Sequence, residues 1–174
     1  MTEQEKKILL KVAENTIAKS LGLPFEEIDG SSFDEKRGAF VTLTEKGRLR
    51  GCIGYIFAIK PLYKQIADLA LEAAYKDPRF PELKKEEFST IKIEISVLSV
   101  PKKINDLSEF KLSRDGIILT AGANRSVFLP QVADETGWDK EEMLRALSVK
   151  AGLPEDAYKK EYAHFMTFTA EVFS

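Results

Sequence analysis

The chain has 174 residues, 44% of them apolar, with 26 Lys and Arg against 28 Asp and Glu, a formal charge of −2, one cysteine and one histidine. That content can fill the core of one domain or of two intimately packed subdomains, while the lone cysteine excludes an intramolecular disulfide and, with one histidine, a structural zinc site of the usual Cys/His kind. No basic tract points to nucleic acid, no apolar run approaches the ~20 residues that span a bilayer, and the amino terminus reads as an acidic, lysine-containing helix rather than a secretion signal, so a cytoplasmic, reduced protein is expected.

Thr2 followed three residues later by Glu5 forms a capping box, and Ile8, Leu9, Val12, Ala13, Thr16 and Ile17 recur at helical spacing, predicting a helix that ends near Ser20 with Gly22 as its stop. Residues 24–38 read as charged and irregular. A strand over Ala39 to Thr44 should turn at Glu45-Lys46-Gly47-Arg48 and pair antiparallel with Leu49-Arg50-Gly51-Cys52-Ile53-Gly54-Tyr55. Pro61 opens a helix with Leu62, Ile66, Leu69 and Ala73 on one stripe, running to about Lys76. Pro78 and Pro81 then bracket a stiff loop that holds Arg79 and Phe80, a helical turn covers Pro81 to Phe88, and Ile91 to Val100 alternates as a half-buried strand. Beyond Pro101 the elements shorten: a helical turn at Asn105 to Phe110, a hairpin of Gly116 to Thr120 with Ser126 to Leu129, and a helix capped by Asp139 and Glu142 and closed by Gly152 and Pro154. This change of texture places a smaller subdomain at 101–152, leaving 1–100 and 153–174 to the larger one, whose last strand runs from about Phe165 to Phe173.

Two glycines beside the only cysteine need a reason, since glycine weakens a strand interior by about 0.5–1 kcal/mol relative to alanine. Strict alternation sends Arg50, Cys52 and Gly54 to one face, with Arg50 and Cys52 about 7 Å apart and open space beside Gly54. Cys52 is a nucleophile candidate if a base reaches it, and otherwise a small packed hydrophobe. His164 is the only histidine and sits near the last strand. Arg50 and Arg79 could clamp a carboxylate or phosphate as an anion-tolerant patch, or could serve as structural ion bridges, with Asp77 the local partner of Arg79. Asp77 precedes a proline, where turn formation competes with general-base duty. Gln131 could read a polar group or satisfy loop backbone, and Lys150 gains from a helix carboxyl terminus whatever else it does. Trp138 reads as a core anchor.

The hexapeptide Leu49 to Gly54, with Gly38-Ala39-Phe40-Val41-Thr42-Leu43, Asp77-Pro78-Arg79-Phe80-Pro81, Ser96-Val97-Leu98-Ser99, Leu129-Pro130-Gln131-Val132 and Lys150-Ala151-Gly152 following in register, resembles the AMMECR domain family, the A protein of the AmmeMemoRadiSam system. The resemblance covers nearly the whole chain. It implies an α+β fold of two unequal subdomains, each with an antiparallel sheet and flanking helices, the larger holding both termini and the hexapeptide strand facing a cleft between them. It also implies that Cys52 in a catalytic role, and Arg50, Gly51, Gly54, Asp77, Arg79, Phe80, Gln131 and Lys150 in substrate binding, line that cleft. Two departures are visible: Ala133 and Asp134 follow Val132, and Ser126-Val127 stands where a serine-glycine pair is common in the family.

Two functions stay open. One is recognition or modification of a substrate within an AmmeMemoRadiSam-type system, with a Memo-family protein and a radical-SAM protein as the partners that the resemblance implies. The other is a non-catalytic scaffold that binds a protein, peptide or small molecule in the same place. No cofactor is implied by the sequence, which has no glycine-rich phosphate loop, no cysteine triplet for an iron–sulfur cluster and no paired-histidine metal motif.

Overall fold

The chain, seen in a computed structural model that describes residues 1–174, divides by its contacts into two units, Met1–Leu98 with Glu171–Ser174, and Ser99–Ala170. The architecture is α+β. In the first unit Thr2 caps helix α1 (Glu3–Ser20) with the reciprocal Glu5 contact, and Gly22 leaves the helix at φ 66°. Strands β1 (Ala39–Glu45) and β2 (Arg48–Tyr55) join through Lys46 and Gly47, both at positive φ (50° and 75°), a two-residue turn whose twist suits an antiparallel hairpin. After helix α2 (Leu62–Tyr75), strand β3 (Ile91–Leu98) pairs antiparallel with the other side of β1, so β2 is an edge.

Alternation then decides what packs. Ala39, Val41 and Leu43 of β1 and Ile95 and Val97 of β3 meet Leu9, Ala13 and Ile17 of α1 and Leu62, Ile66, Leu69 and Ala73 of α2 in one core. The last residues of the chain join this unit: Glu171 accepts from the Met1 ammonium at 3.1 and 3.2 Å and pairs with Lys6 at 3.3 Å, and Phe173 packs on the core.

In the second unit β5 (Asp115–Ala121) pairs with β6 (Asn124–Phe128) on one side and with β7 (His164–Phe173) on the other, and β7 also pairs with the short β4 (Lys102–Ile104). Helices α3 (Val132–Thr136) and α4 (Lys140–Lys150) complete it, α4 carrying the Asp139 and Glu142 capping box. Its core gathers Ile104, Phe110, Ile117, Leu119, Met143, Leu144, Leu147 and Phe165. Asn124 Nδ2 donates to Ala151 O (2.7 Å) and Ser126 Oγ to Leu147 O (2.6 Å), which fasten α4 to the hairpin.

Sequence texture closes the smaller subdomain near Gly152; the contacts carry the second unit on to Ala170, because Ile117 and Leu119 lie opposite Thr167 and Phe165. Three elements were not expected, one of them the 3-10 turn Ala157–Lys159. Strand β4 is three residues long, too short to display a period, and exists through its rungs to β7. Helix α3 follows Pro130, buries Ala133 and stops at Gly137, φ 69°. No helix is long and apolar enough to cross a membrane.

One close approach orders the first unit. A Cβ on Gly51 would lie 2.1 Å from the carbonyl oxygen of Ala73, so β2 and α2 touch backbone to backbone there. Replacing Gly51 with alanine must push the helix away, and should lower stability by about 1–3 kcal/mol, as overpacking does. A reduced midpoint of chemical denaturation at unchanged slope would register the change.

Candidate functional site

The site is built on β2, whose ladder with β1 slips once. Leu49 lies opposite Thr44 and Gly51 opposite Leu43, so Arg50 is an extra residue with no cross-strand partner, a β-bulge. Cys52 is then opposite Thr42 and Gly54 opposite Phe40. Directly opposed residues share a face, so Leu49 and Cys52 stand on the face of Thr42 and Thr44, away from the core, although they are three positions apart.

This corrects the expected arrangement twice. Arg50 does not share a face with Cys52, because the bulge takes up the alternation between them. Its side chain, only 10% exposed, reaches Glu87 through Nε (2.8 Å) and Nη2 (3.1 Å), while Nη1 donates to Pro81 O (2.9 Å) and Nη2 to Glu82 O (3.3 Å). A guanidinium so committed is a strut and offers nothing to a ligand. Nor is there open space at Gly54. A Cβ there would lie 2.3 Å from the Phe40 ring, which lies across the glycine and fills the gap.

The Asp77-Pro78-Arg79-Phe80-Pro81 loop runs along the free edge of β2. Asp77, its side chain 2% exposed, accepts from Cys52 N–H at Oδ2 (2.9 Å) and from Arg79 N–H at Oδ1 (3.1 Å). The Arg79 guanidinium closes on the same carboxylate with Nε to Oδ1 (3.0 Å) and Nη2 to Oδ2 (2.7 Å), and Nη2 reaches Cys52 O at 3.4 Å. Together the two side chains accept from and donate to Cys52 as a neighbouring strand would. The carbonyl of Asp77 also takes Phe80 N–H (3.1 Å), so it forms the turn and the ion pair at once. Arg79 remains 56% exposed, 5.5 Å above the Phe80 ring.

The electrostatics follow these contacts. The Arg79 guanidinium, helped by the Cys52 and Arg79 amides, holds the Asp77 carboxyl well below the usual carboxylate range against the opposing effect of burial. Arg50 likewise lowers Glu87. Asp77 therefore stays ionised through the neutral range.

Cys52 Sγ lies 3.1 Å from Thr42 Oγ1, a neutral hydroxyl, and is half-buried. Across β1 the same row continues to Glu94, opposite Thr42. The second unit holds the remaining expected residues. Gln131 is exposed at the start of α3, where its carbonyl accepts from Glu135 N–H (3.0 Å). Lys150 Nζ donates to Val127 O (2.8 Å) and stands 4.7 Å above the Phe128 ring, which meets the half-buried Trp138 at 6.1 Å. His164 is exposed on β7 of that unit. No group of three or more His, Cys, Asp or Glu side chains converges as a metal site. The residues not anticipated are Thr42, Phe40 and Glu87. The first two could be found only with the bulged register, and Glu87 carries no local signal of a partner 37 residues away.

Two outcomes are expected. Replacing Arg50 with methionine leaves two carbonyls unanswered and Glu87 with only the Lys84 amide, and should cost about 3–5 kcal/mol, the scale for breaking a buried pair from one side. Asp77→Asn should destabilise by about 1.5–3 kcal/mol, the worth of charge-assisted bonds. Because the folded pKa of Asp77 is depressed, its contribution is complete above the unfolded value of about 4 and is lost as pH falls below it. The gap between wild type and Asp77→Asn in urea titrations should therefore be full at neutral pH and shrink below about pH 4.

A family model described as AMMECR1 matches residues 8–173. The chain is 40% identical over 185 residues to a protein of Methanothermobacter thermautotrophicus, with 99% of this chain and 95% of that one covered. It is 44% identical over 149 residues to Protein MJ0810 of Methanocaldococcus jannaschii, covering 81% and 74% respectively. Among solved structures it is similar to the crystal structure of the uncharacterized protein PH0010 from Pyrococcus horikoshii, with a TM-score of 0.83, 34% identity, and 99% and 92% coverage.

Proposed function

We propose, on the premise that this chain belongs to the AMMECR1 family, that it is a recognition protein which reads an acceptor oxygen, a carboxylate or peptide carbonyl, with the guanidinium of Arg79. The observation that carries the reading is the contrast between two arginines of neighbouring motifs. Arg50 is 10% exposed and saturated, whereas Arg79 is 56% exposed while Asp77 fixes its plane through Nε and Nη2. The Nη1 edge is left for a ligand, and a side chain already held in place loses little entropy when it binds. Phe80 beneath it offers an apolar contact.

The half-exposed Cys52 thiol, bonded to the Thr42 hydroxyl, supports a second reading in which the protein modifies what it binds. Within an AmmeMemoRadiSam-type system the bound group would then belong to a substrate handled together with a Memo-family protein and a radical-SAM protein. Binding takes first place because the thiol has a neutral hydroxyl, rather than a base, as its hydrogen-bond partner.

Arg79→Lys separates recognition from folding, since lysine keeps a cation beside Asp77 and removes the planar fork. Capture of either partner protein, followed by native mass spectrometry, should weaken about tenfold or more with this variant, the loss of one charge-assisted bond. Its melting temperature should stay within a few degrees of wild type. Cys52→Ala should bind as wild type does. Undiminished capture by Arg79→Lys would overturn the recognition role, and turnover by the mixture that disappears in Cys52→Ala would put the modifying enzyme first.

A further inference from the structure

Hydrogen bonds on the far side of β1 show which groups of β2 face off the sheet. Leu98 N–H donates to Gly38 O (2.9 Å), so Phe40 and Thr42, two and four residues on, turn their amides and carbonyls toward β3. Gly54 and Cys52, which lie opposite Phe40 and Thr42, therefore direct theirs outward, and the bond from Cys52 N–H to Asp77 follows that rule. Cys52 is answered by the Asp77 and Arg79 pair. Gly54, about 7 Å further along the edge, is not. Neither its N–H nor its C=O has a hydrogen-bond partner, and the residue is half-buried.

An open rung beside a filled one has room for a single residue of an extended chain. Antiparallel to β2, the orientation in which one residue exchanges both bonds, it donates N–H to Gly54 O and accepts from Gly54 N–H. Its carbonyl end then points toward Cys52. There Arg79 Nη2 stands 3.4 Å from Cys52 O and Asp77 Oδ2 holds Cys52 N–H at 2.9 Å, so the next rung is taken. A chain with no rung to continue on must end, which makes the residue at Gly54 the last one. Its terminal carboxylate has two oxygens for two donors, Gly54 N–H and Arg79 Nη1. Asp77 occupies the Nε and Nη2 edge of the guanidinium and leaves Nη1 clear. Directly opposed residues share a face, so the terminal side chain lies beside the Phe40 ring that covers Gly54.

We infer that the edge at Gly54 captures the carboxyl-terminal residue of an extended peptide, its carboxylate held between Gly54 N–H and Arg79 and its apolar side chain laid against Phe40. The inference rests on the Arg79 reading and narrows the acceptor to a chain end. Any side chain at Gly54 strikes Phe40, so the rung is tested from the ligand. The probe is N-acetyl-alanyl-leucine, titrated into the full chain and followed by amide and arginine Nε shifts. Beside it stand its carboxamide, its analogue methylated at the leucine nitrogen, and acetate. Saturable shifts at both Gly54 and Arg79 are expected with the acid, which should bind more tightly than acetate. The carboxamide should bind about tenfold or more weaker, for one charge-assisted bond, and the methylated analogue about threefold or more weaker, for a neutral one. Arg79→Lys should weaken the acid about tenfold. Should acetate move Arg79 while the acid leaves Gly54 unshifted, or binds no better than acetate, its carboxamide or its methylated analogue, the chain-end proposal is overturned and the Arg79 reading stands. Undiminished binding of the acid by Arg79→Lys overturns both.

Discussion

The carboxylate of Asp77 is the contact on which the arrangement around β2 depends. An edge strand presents amides and carbonyls that need partners, and at Cys52 they are met by side chains: Asp77 accepts the amide and Arg79 approaches the carbonyl. The loop that supplies them has almost no regular structure of its own, only the 3-10 turn Lys85–Glu87 before β3 begins. It is tied to the strand at both ends, by the Asp77 and Arg79 pair through the backbone of Cys52 and by Arg50 through Glu87. One arginine comes from the loop and approaches the Cys52 carbonyl, and one comes from the strand and reaches into the loop. The exposed part of Arg79 is what the tie leaves over, and its orientation is set by the same carboxylate that closes the edge.

The glycines of the hexapeptide serve packing and not flexibility. Gly51 lets α2 come within backbone contact of β2, and Gly54 accepts the Phe40 ring in the place of its own side chain. Between them Cys52 is the one residue of that run whose side chain reaches the outer face, where Thr42 meets it. A motif with the look of a reaction centre is, for most of its length, a statement about how closely a helix and a ring can approach a strand.

Much of the fold was legible. Capping boxes at Thr2 and Asp139, the glycine turn at Lys46-Gly47 and the alternation of Ile91, Ile93, Ile95 and Val97 each express a local rule, and each element stands close to where its rule places it. The candidate site was less so, and one residue accounts for the difference. Counting outward from the turn, Glu45 faces Arg48, and strict pairing would put Leu43 opposite Arg50, Val41 opposite Cys52 and Ala39 opposite Gly54. The bulge moves the partners to Thr42 and Phe40. Nothing in the local pattern announces a bulge at an arginine, because its cause is a distant carboxylate and two loop carbonyls. The Asp77 and Arg79 pair was readable as neighbours in sequence, but its engagement with Cys52 was not.

The unpaired position of Arg50 also bears on how such a sequence can change by descent. The residue is supernumerary in the ladder, so a chain that lost it could still close the hairpin in plain register. Every residue from Gly51 onward would keep its partner and its face, with Cys52 still opposite Thr42 and Gly54 still opposite Phe40. The ladder therefore tolerates a gap at Arg50, whereas a gap at any residue from Gly51 to Gly54 would exchange the faces of those beyond it. The glycines and the cysteine are thereby held together by register, whereas the arginine is tied instead to Glu87, which changes in step with it although it stands in another part of the chain.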